Sequence, residues 1–130
     1  MAGFLLDTHV FLWWLQDSPR LTAGVRATLA DPESQVFVSA VSIWEIAIKV
    51  SLRKLTLRNQ SPQFLRKLTE ASGFTSLALK ADAAAQILAL PLHHHDPFDR
   101  ALVAQAHVES LVLITHDEQL TAYPIAILKA

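Results

Sequence analysis

Acidic residues stand at the ends of apolar segments in this sequence, where a carboxylate is costly unless something binds it. Asp7 is embedded in Phe4-Leu-Leu-Asp7-Thr8-His9-Val-Phe11-Leu-Trp13-Trp14, a setting in which an ionised group needs coordination or hydrogen bonds. Glu45 lies in Ser42-Ile-Trp44-Glu45-Ile46. Asp96 and Asp99 lie in Asp96-Pro97-Phe98-Asp99-Arg100, and Asp117 falls two residues after Leu111-Val-Leu-Ile-Thr115. Each has an ordinary structural reading. Ser42 and Glu45 have the spacing of a capping box. Asp96 before Pro97, with Asp99 in the first turn, has the form of a helix start. Asp117 can cap a turn beginning at Glu118. The joint reading is chemical. Several carboxylates brought together repel one another and leave one or more protonated unless a cation compensates. Oxygen donors without any cysteine point to Mg²⁺ or Mn²⁺ rather than zinc. Two such ions about 3.5–4 Å apart activate water and stabilise a leaving oxygen in phosphodiester hydrolysis.

The elements that must bring these acids together are legible as alternating strands and helices. Phe4–Leu6 reads as a strand followed directly by a helix over Val10–Gln16. Leu21, Val25 and Leu29 mark a second helix ending near Asp31-Pro32. Gln35–Ala40 reads as a strand and Ser42–Leu52 as a helix. Ser61-Pro62 opens another helix, Phe74–Leu79 is a third strand, and Ala81–Leu90 is helical. Asp96-Pro97 starts a helix to about Glu109. Leu111–Thr115 is a strand, Glu118–Ala122 one helical turn, and Ile125–Leu128 a last strand. Apolar strands alternating with helices predict an α/β fold, a central parallel sheet of four to five short strands flanked by helices. Parallel sheets place their sites beyond the carboxyl ends of the strands. Five of the 12 acidic residues map to that rim: Asp7, Glu45, Asp96, Asp99 and Asp117.

The 130 residues fit one domain spanning 1–130. Hydrophobic residues make up 52% and charged residues 18%, which excludes a disordered chain and suggests that a partner covers some of the surface. With a net charge of −1, any nucleic-acid binding must use a local patch. The longest run free of Asp, Glu, Lys and Arg, Ala83–His95, is 13 residues, short of the roughly 20 a membrane helix needs. No signal segment is read at the start. The expectation is a soluble, cytoplasmic protein.

The motifs together resemble a known family. Asp7-Thr8-His9; Ser39-Ala-Val-Ser42-Ile-Trp-Glu45-Ile-Ala-Ile-Lys49; His94-His-Asp96-Pro-Phe-Asp99-Arg-Ala-Leu-Val-Ala-Gln105-Ala; and Leu113-Ile-Thr115-His-Asp117 are similar to the PIN domain, and more narrowly to VapC-type toxins of bacterial toxin–antitoxin modules. The matches run in family order from Asp7 to Asp117. The resemblance implies a Mg²⁺- or Mn²⁺-dependent endoribonuclease that inhibits translation and growth, with one or two ions per site. It carries the acidic set onto Asp7, Glu45, Asp99 and Asp117. Asp96 becomes an additional or supporting acid, and Thr8, Ser39, Ser42 and Thr115 become hydroxyls near the ions or the scissile phosphate. His95 stands where relatives often carry an arginine, so no phosphate contact is carried over there. The expected products are a 5′-phosphate and a 3′-hydroxyl. A cognate antitoxin and a second copy of the chain are the implied protein partners.

Six of the 11 basic residues, Lys49, Arg53, Lys54, Arg58, Arg66 and Lys67, lie between Glu45 and Glu70 with no acid among them. Lys49 and Arg53, four apart, are expected on one helical face. They read either as a phosphate track toward the acids, with Lys54 and Arg100, or as a solvated face. Phe11–Leu15 is apolar on every side and predicts that at least one of Trp13, Trp14 and Trp44 lies in an interface. His93, His94 and His95 follow Pro91 and are expected in a loop at the rim of the site, one of them touching phosphate. His9 and His116 are expected beside the acids without binding the ion, and His107 at the surface. Two further readings are a catalytically silent PIN-fold binding module and, because Asp7 ends a strand, an aspartate-nucleophile phosphotransferase. The second lacks its usual acid two residues on, where His9 stands.

Overall fold

A computed structural model describes residues 3–130. Short apolar stretches form the strands β1 (Phe4–Leu6), β2 (Val36–Ser39), β3 (Thr75–Leu77), β4 (Val112–Thr115) and β5 (Ile127–Lys129). Between them run α1 (Thr8–Leu15), α2 (Ala23–Ala30), α3 (Ala40–Ser51), α4 (Pro62–Ala71), α5 (Ala81–Gln86) and α6 (Pro97–Val108), with 3₁₀ turns at Ile87–Ala89 and Glu118–Ala122. All neighbouring strands pair in parallel in the order β3-β2-β1-β4-β5. The expected α/β architecture, a parallel sheet of four to five short strands flanked by helices, is what the chain forms, with five strands.

Register gives the sheet two buried faces. Leu5 lies opposite Leu113 and Leu6 opposite Ile114. Alternation sends Leu5 and Leu113 into one core with Leu102, Val103 and Leu120 of α6 and its surroundings. It sends Leu6 and Ile114 into the other with Phe11, Val25 and Ile46 from α1, α2 and α3. Helix starts are locally written. Thr22 and Ser61 cap α2 and α4 with their hydroxyls, and Pro62 opens α4. Gly73, at φ +80°, turns the chain out of α4 into β3.

Three expectations are corrected. The capping box at Ser42 does not form: α3 starts one turn earlier, capped by Ser39, whose Oγ accepts from the Val41 N–H at 2.9 Å. Ser42 is then a buried helical residue that accepts from Thr8 Oγ1 at 2.9 Å. Lys49 and Arg53 do not share a helical face, because α3 ends at Ser51 and Arg53 adopts φ 59° in the turn beyond it. Finally, α1 is covered by its own chain: Trp13 is buried and Trp14 packs against Phe74 at 5.4 Å between ring centroids. The tryptophan left to solvent is Trp44 on α3, 59% exposed.

The strand order fixes where a site can form. The chain moves outward from β1 to β2 and β3, then returns to place β4 and β5 on the other side of β1. The helices after β1 and β4 therefore diverge, and a crevice opens between the carboxyl ends of these two strands.

Candidate metal centre

Asp7 and Thr115 meet at this crevice. Asp7 follows β1 directly and caps α1, its Oδ1 accepting weakly from the His9 N–H at 3.4 Å. Thr115 ends β4 and donates its hydroxyl to Asp7 Oδ2 at 2.6 Å. The Asp117 N–H in turn donates to Thr115 Oγ1 at 3.0 Å. Burial raises the Asp7 carboxyl above its ordinary range. The Thr115 hydroxyl, the His9 side chain and the His9 N–H draw it part of the way back, and the Glu45 charge pushes it up.

The other acids arrive from helix ends. Asp96 caps α6 as its sequence predicts, accepting from the N–H groups of Phe98 at 2.8 Å and Asp99 at 3.2 Å. That cap turns Asp99, in the first helical turn, into the crevice. Asp117 caps the turn at Glu118–Ala122 through Oδ1. Its Oδ2 lies 2.9 Å from His94 Nε2, which is also 3.4 Å from Asp99 Oδ2. Asp99 is pushed up to about 8, by burial first and then by the charges of Asp7, Asp96, Glu45 and Asp117. The other four acids predicted at the rim therefore all act on Asp99.

Glu45 reaches the group from α3. It is buried, and its Oε2 pairs with Lys49 Nζ at 2.7 Å, while Oε1 is buried without a hydrogen-bond partner. An orphaned buried carboxylate oxygen is a costly feature that a cation would relieve. Among the described residues, the tight group with ligand atoms within 4.8 Å of one another is His94, Asp99 and Asp117. Of the four acids expected to hold ions, Asp99 and Asp117 belong to this group, and Asp7 and Glu45 lie outside it. The donor chemistry fits a hard divalent cation: carboxylate oxygens dominate, no thiolate is present, and two of the acids are raised by crowding and burial.

The hydroxyls divide. Thr115 touches Asp7, and the Thr8–Ser42 bond ties α1, which Asp7 caps, to α3, which carries Glu45. Ser39 is turned elsewhere: it caps α3 and donates to Gln105 Oε1 at 2.5 Å, and Gln105 Nε2 donates to the Ala78 carbonyl at 3.2 Å.

The basic residues are placed differently from the expected track. Lys49 neutralises Glu45 instead of facing outward. Arg100 donates to the carbonyls of Ile87 and Leu90, both at 3.2 Å, and so ties α6 to the preceding turn. Arg53 and Lys54 are exposed beyond the end of α3. A cleft of about 510 Å³ is lined instead by Asp7, Asp99 and Asp117 together with His9, Trp13, Arg20, His116 and Glu118. Arg20 and His94 are the residues whose parts the sequence did not disclose. Arg20 sits in a polar connection with no motif around it. His94 sits in a histidine run whose side-chain directions the sequence leaves open.

The model of the PIN domain family matches residues 4–126. The chain belongs to the PIN-domain family. This PIN domain is 27% identical over 124 residues to Ribonuclease VapC22 of Mycobacterium tuberculosis, covering 95% of this chain and 93% of that protein. It is similar in fold to a DNA-bound VapBC complex from Salmonella typhimurium, with TM-score 0.72, 21% identity, and coverage of 99% and 98% of the two chains. It is also similar to VapBC2 from Rickettsia felis bound to a promoter DNA fragment, with TM-score 0.72, 13% identity and 97% coverage of each chain. Among the described residues no helix is long and apolar enough to cross a membrane.

Proposed function

We propose that this PIN domain is a Mg²⁺- or Mn²⁺-dependent endoribonuclease, the toxin of a toxin–antitoxin pair, which inhibits translation and growth by cutting RNA in the cytoplasm. The observation that carries the reading is the meeting of Asp7, Asp96, Asp99, Asp117 and Glu45 at the β1–β4 crevice, with Glu45 Oε1 left without a partner. The ribonuclease name of the mycobacterial relative supports the reaction, and the VapBC names of the Salmonella and Rickettsia structures similar in fold support the partnership.

In this reading Asp7, Glu45, Asp99 and Asp117 hold one or two ions, and Asp96, Thr8, Ser42 and Thr115 hold those acids in place. The chemistry such ions supply is acidification of the attacking water and neutralisation of charge on the phosphate oxygens. The chain supplies orientation. Thr115 fixes one oxygen of Asp7, the α6 cap aims Asp99, and the buried Glu45 is held by Lys49. Arg20 lines the same cleft as Asp7, Asp99 and Asp117 and is the cation placed to meet a flanking phosphate; His9 and His116 also line that cleft. Solvent-facing Trp44, Leu88 and Leu92 are available for an antitoxin or a second copy to cover.

The test is cleavage of a defined RNA by the purified protein with Mg²⁺, with Mn²⁺ and with chelator, alongside Asp7→Asn and Asp99→Asn. The expected result is metal-dependent cleavage leaving 5′-phosphate and 3′-hydroxyl ends, lost in both variants. Chelator-resistant cleavage, or 2′,3′-cyclic phosphate ends, would refute the mechanism.

A further inference from the structure

The His94 imidazole sits within ligating distance of two acids, which makes it look like a metal ligand. Its hydrogen bonds say otherwise. We infer that His94 is a positioning residue: an Nε2–H donor that aligns the Asp117 and Asp99 carboxylates without itself binding the ion. The inference rests on the reading of these acids as a divalent-cation site.

The argument is a count of protons. His94 Nδ1 lies 3.0 Å from the Asp96 backbone N–H. A backbone N–H only donates, so Nδ1 must accept and carries no proton. A neutral imidazole has one proton, which therefore sits on Nε2. Nε2–H then points at Asp117 Oδ2, 2.9 Å away, with Asp99 Oδ2 at 3.4 Å. A protonated nitrogen has no lone pair for a cation. Ligation through Nε2 would require an imidazolate, or transfer of the proton to Nδ1 and loss of the Asp96 bond.

The surrounding structure holds the ring in this orientation. The backbone N–H of His94 donates to the Tyr123 hydroxyl at 3.1 Å, and Tyr123 is buried. Asp96 caps α6, so the N–H that His94 accepts belongs to the residue that aims Asp99. Turning the imidazole over would put a C–H against the Asp96 N–H. Asp117 is thereby gripped on both oxygens, Oδ1 by the Gln119 N–H and Oδ2 by His94. Carboxylates that ligate metal ions are commonly held by hydrogen bonds of this kind. The loop that follows Pro91 thus couples the caps of α6 and of the Glu118 turn through one ring.

The wiring is testable without turnover. ¹⁵N NMR of the ion-free protein should show His94 protonated at Nε2 and bare at Nδ1; the opposite tautomer would overturn the inference. Electron spin-echo spectroscopy of the Mn²⁺-loaded protein should show no directly coordinated nitrogen that disappears in His94→Gln; a nitrogen signal lost in that variant would overturn it. His94→Ala should weaken Mn²⁺ binding about 10–100-fold, and His94→Gln, which keeps a side-chain N–H, should restore most of it. Equal losses in the two variants count against positioning by a donor. If wild type binds no Mn²⁺, the ion-site reading fails by itself, and the ion-free tautomer still decides the hydrogen bonding.

Discussion

Removing the charge of Asp99 should change how the stability of the ion-free protein depends on pH. Its side chain is 15% exposed, and its pKa rises from 3.8 in the unfolded chain to about 8 in the fold. Between these values the native state holds a proton that the unfolded state has released. The native state then binds more protons than the unfolded state, so stability falls as pH rises, by about 1.36 kcal/mol per pH unit for one proton. The contribution is fully present below about pH 4 and lost by about pH 8. From pH 5.5 to 7.5 the Asp99 share is roughly 2.5 kcal/mol as an upper figure. Asp7 is raised too and adds a slope of the same sign to both proteins. Urea unfolding in chelator at pH 5.5, 6.5 and 7.5 should therefore give a steeper decline for wild type than for Asp99→Asn, by up to that amount. Parallel lines for the two proteins would refute the reasoning, since the burial of Asp99 and its crowding by four carboxylates would then cost nothing. Saturating Mg²⁺ should abolish the wild-type decline, because binding selects the charged form. At pH 7 a group with a pKa of about 8 is about nine-tenths protonated, so ion binding should release close to one proton from Asp99. Calorimetry in two buffers of different ionisation enthalpy measures that release.

Thr115→Val removes the hydroxyl on buried Asp7 and should lower stability by about 1–3 kcal/mol at pH 7.5. The loss should be smaller at pH 5, where Asp7 more readily takes a proton; urea midpoints at the two pH values check it. Gln105→Leu leaves the Ala78 carbonyl and the Ser39 hydroxyl without their partner and should also cost about 1–3 kcal/mol, with no change in ion affinity by titration calorimetry. Arg20→Ala should weaken RNA binding and shrink its salt slope by about one unit, whereas Arg53→Ala should leave that slope unchanged. Filter binding across a salt series, with catalysis blocked by chelator, separates the two. Trp44→Ala, at a side chain 59% exposed whose ring packs edge-on against Phe98 at 5.0 Å between centroids, should lower the stability of the isolated chain by no more than about 0.5–1.5 kcal/mol, read from the urea midpoint.

What could be read without coordinates follows from how locally each feature is encoded. The strands β1, β2 and β4 are apolar runs that end in or are followed by an acid or a hydroxyl, and the helix at Pro97–Val108 announces its start in four residues, so these are legible from neighbours alone. The acids were legible for a related reason: strand ends and helix starts are the places that a parallel sheet gathers at one rim. The misread positions are those where two local signals compete or where partners are distant in sequence. Ser39 and Ser42 are both good caps for one helix. Ser39 prevails because β2 delivers it in extended conformation, and Thr8, 34 residues away, claims Ser42. Lys49 and Arg53 have helical spacing, but the helix ends between them. Three consecutive histidines suggest no shared task, and of the three the structure sets the His94 ring against Asp117 and Asp99. The backbone of His94 is anchored by Tyr123, 29 residues away, and its ring by the N–H of Asp96. No local pattern encodes the first of these contacts. The carboxylate positions are therefore written in the order of secondary structure, while their fine alignment is written in long-range bonds to side chains that no spacing rule connects.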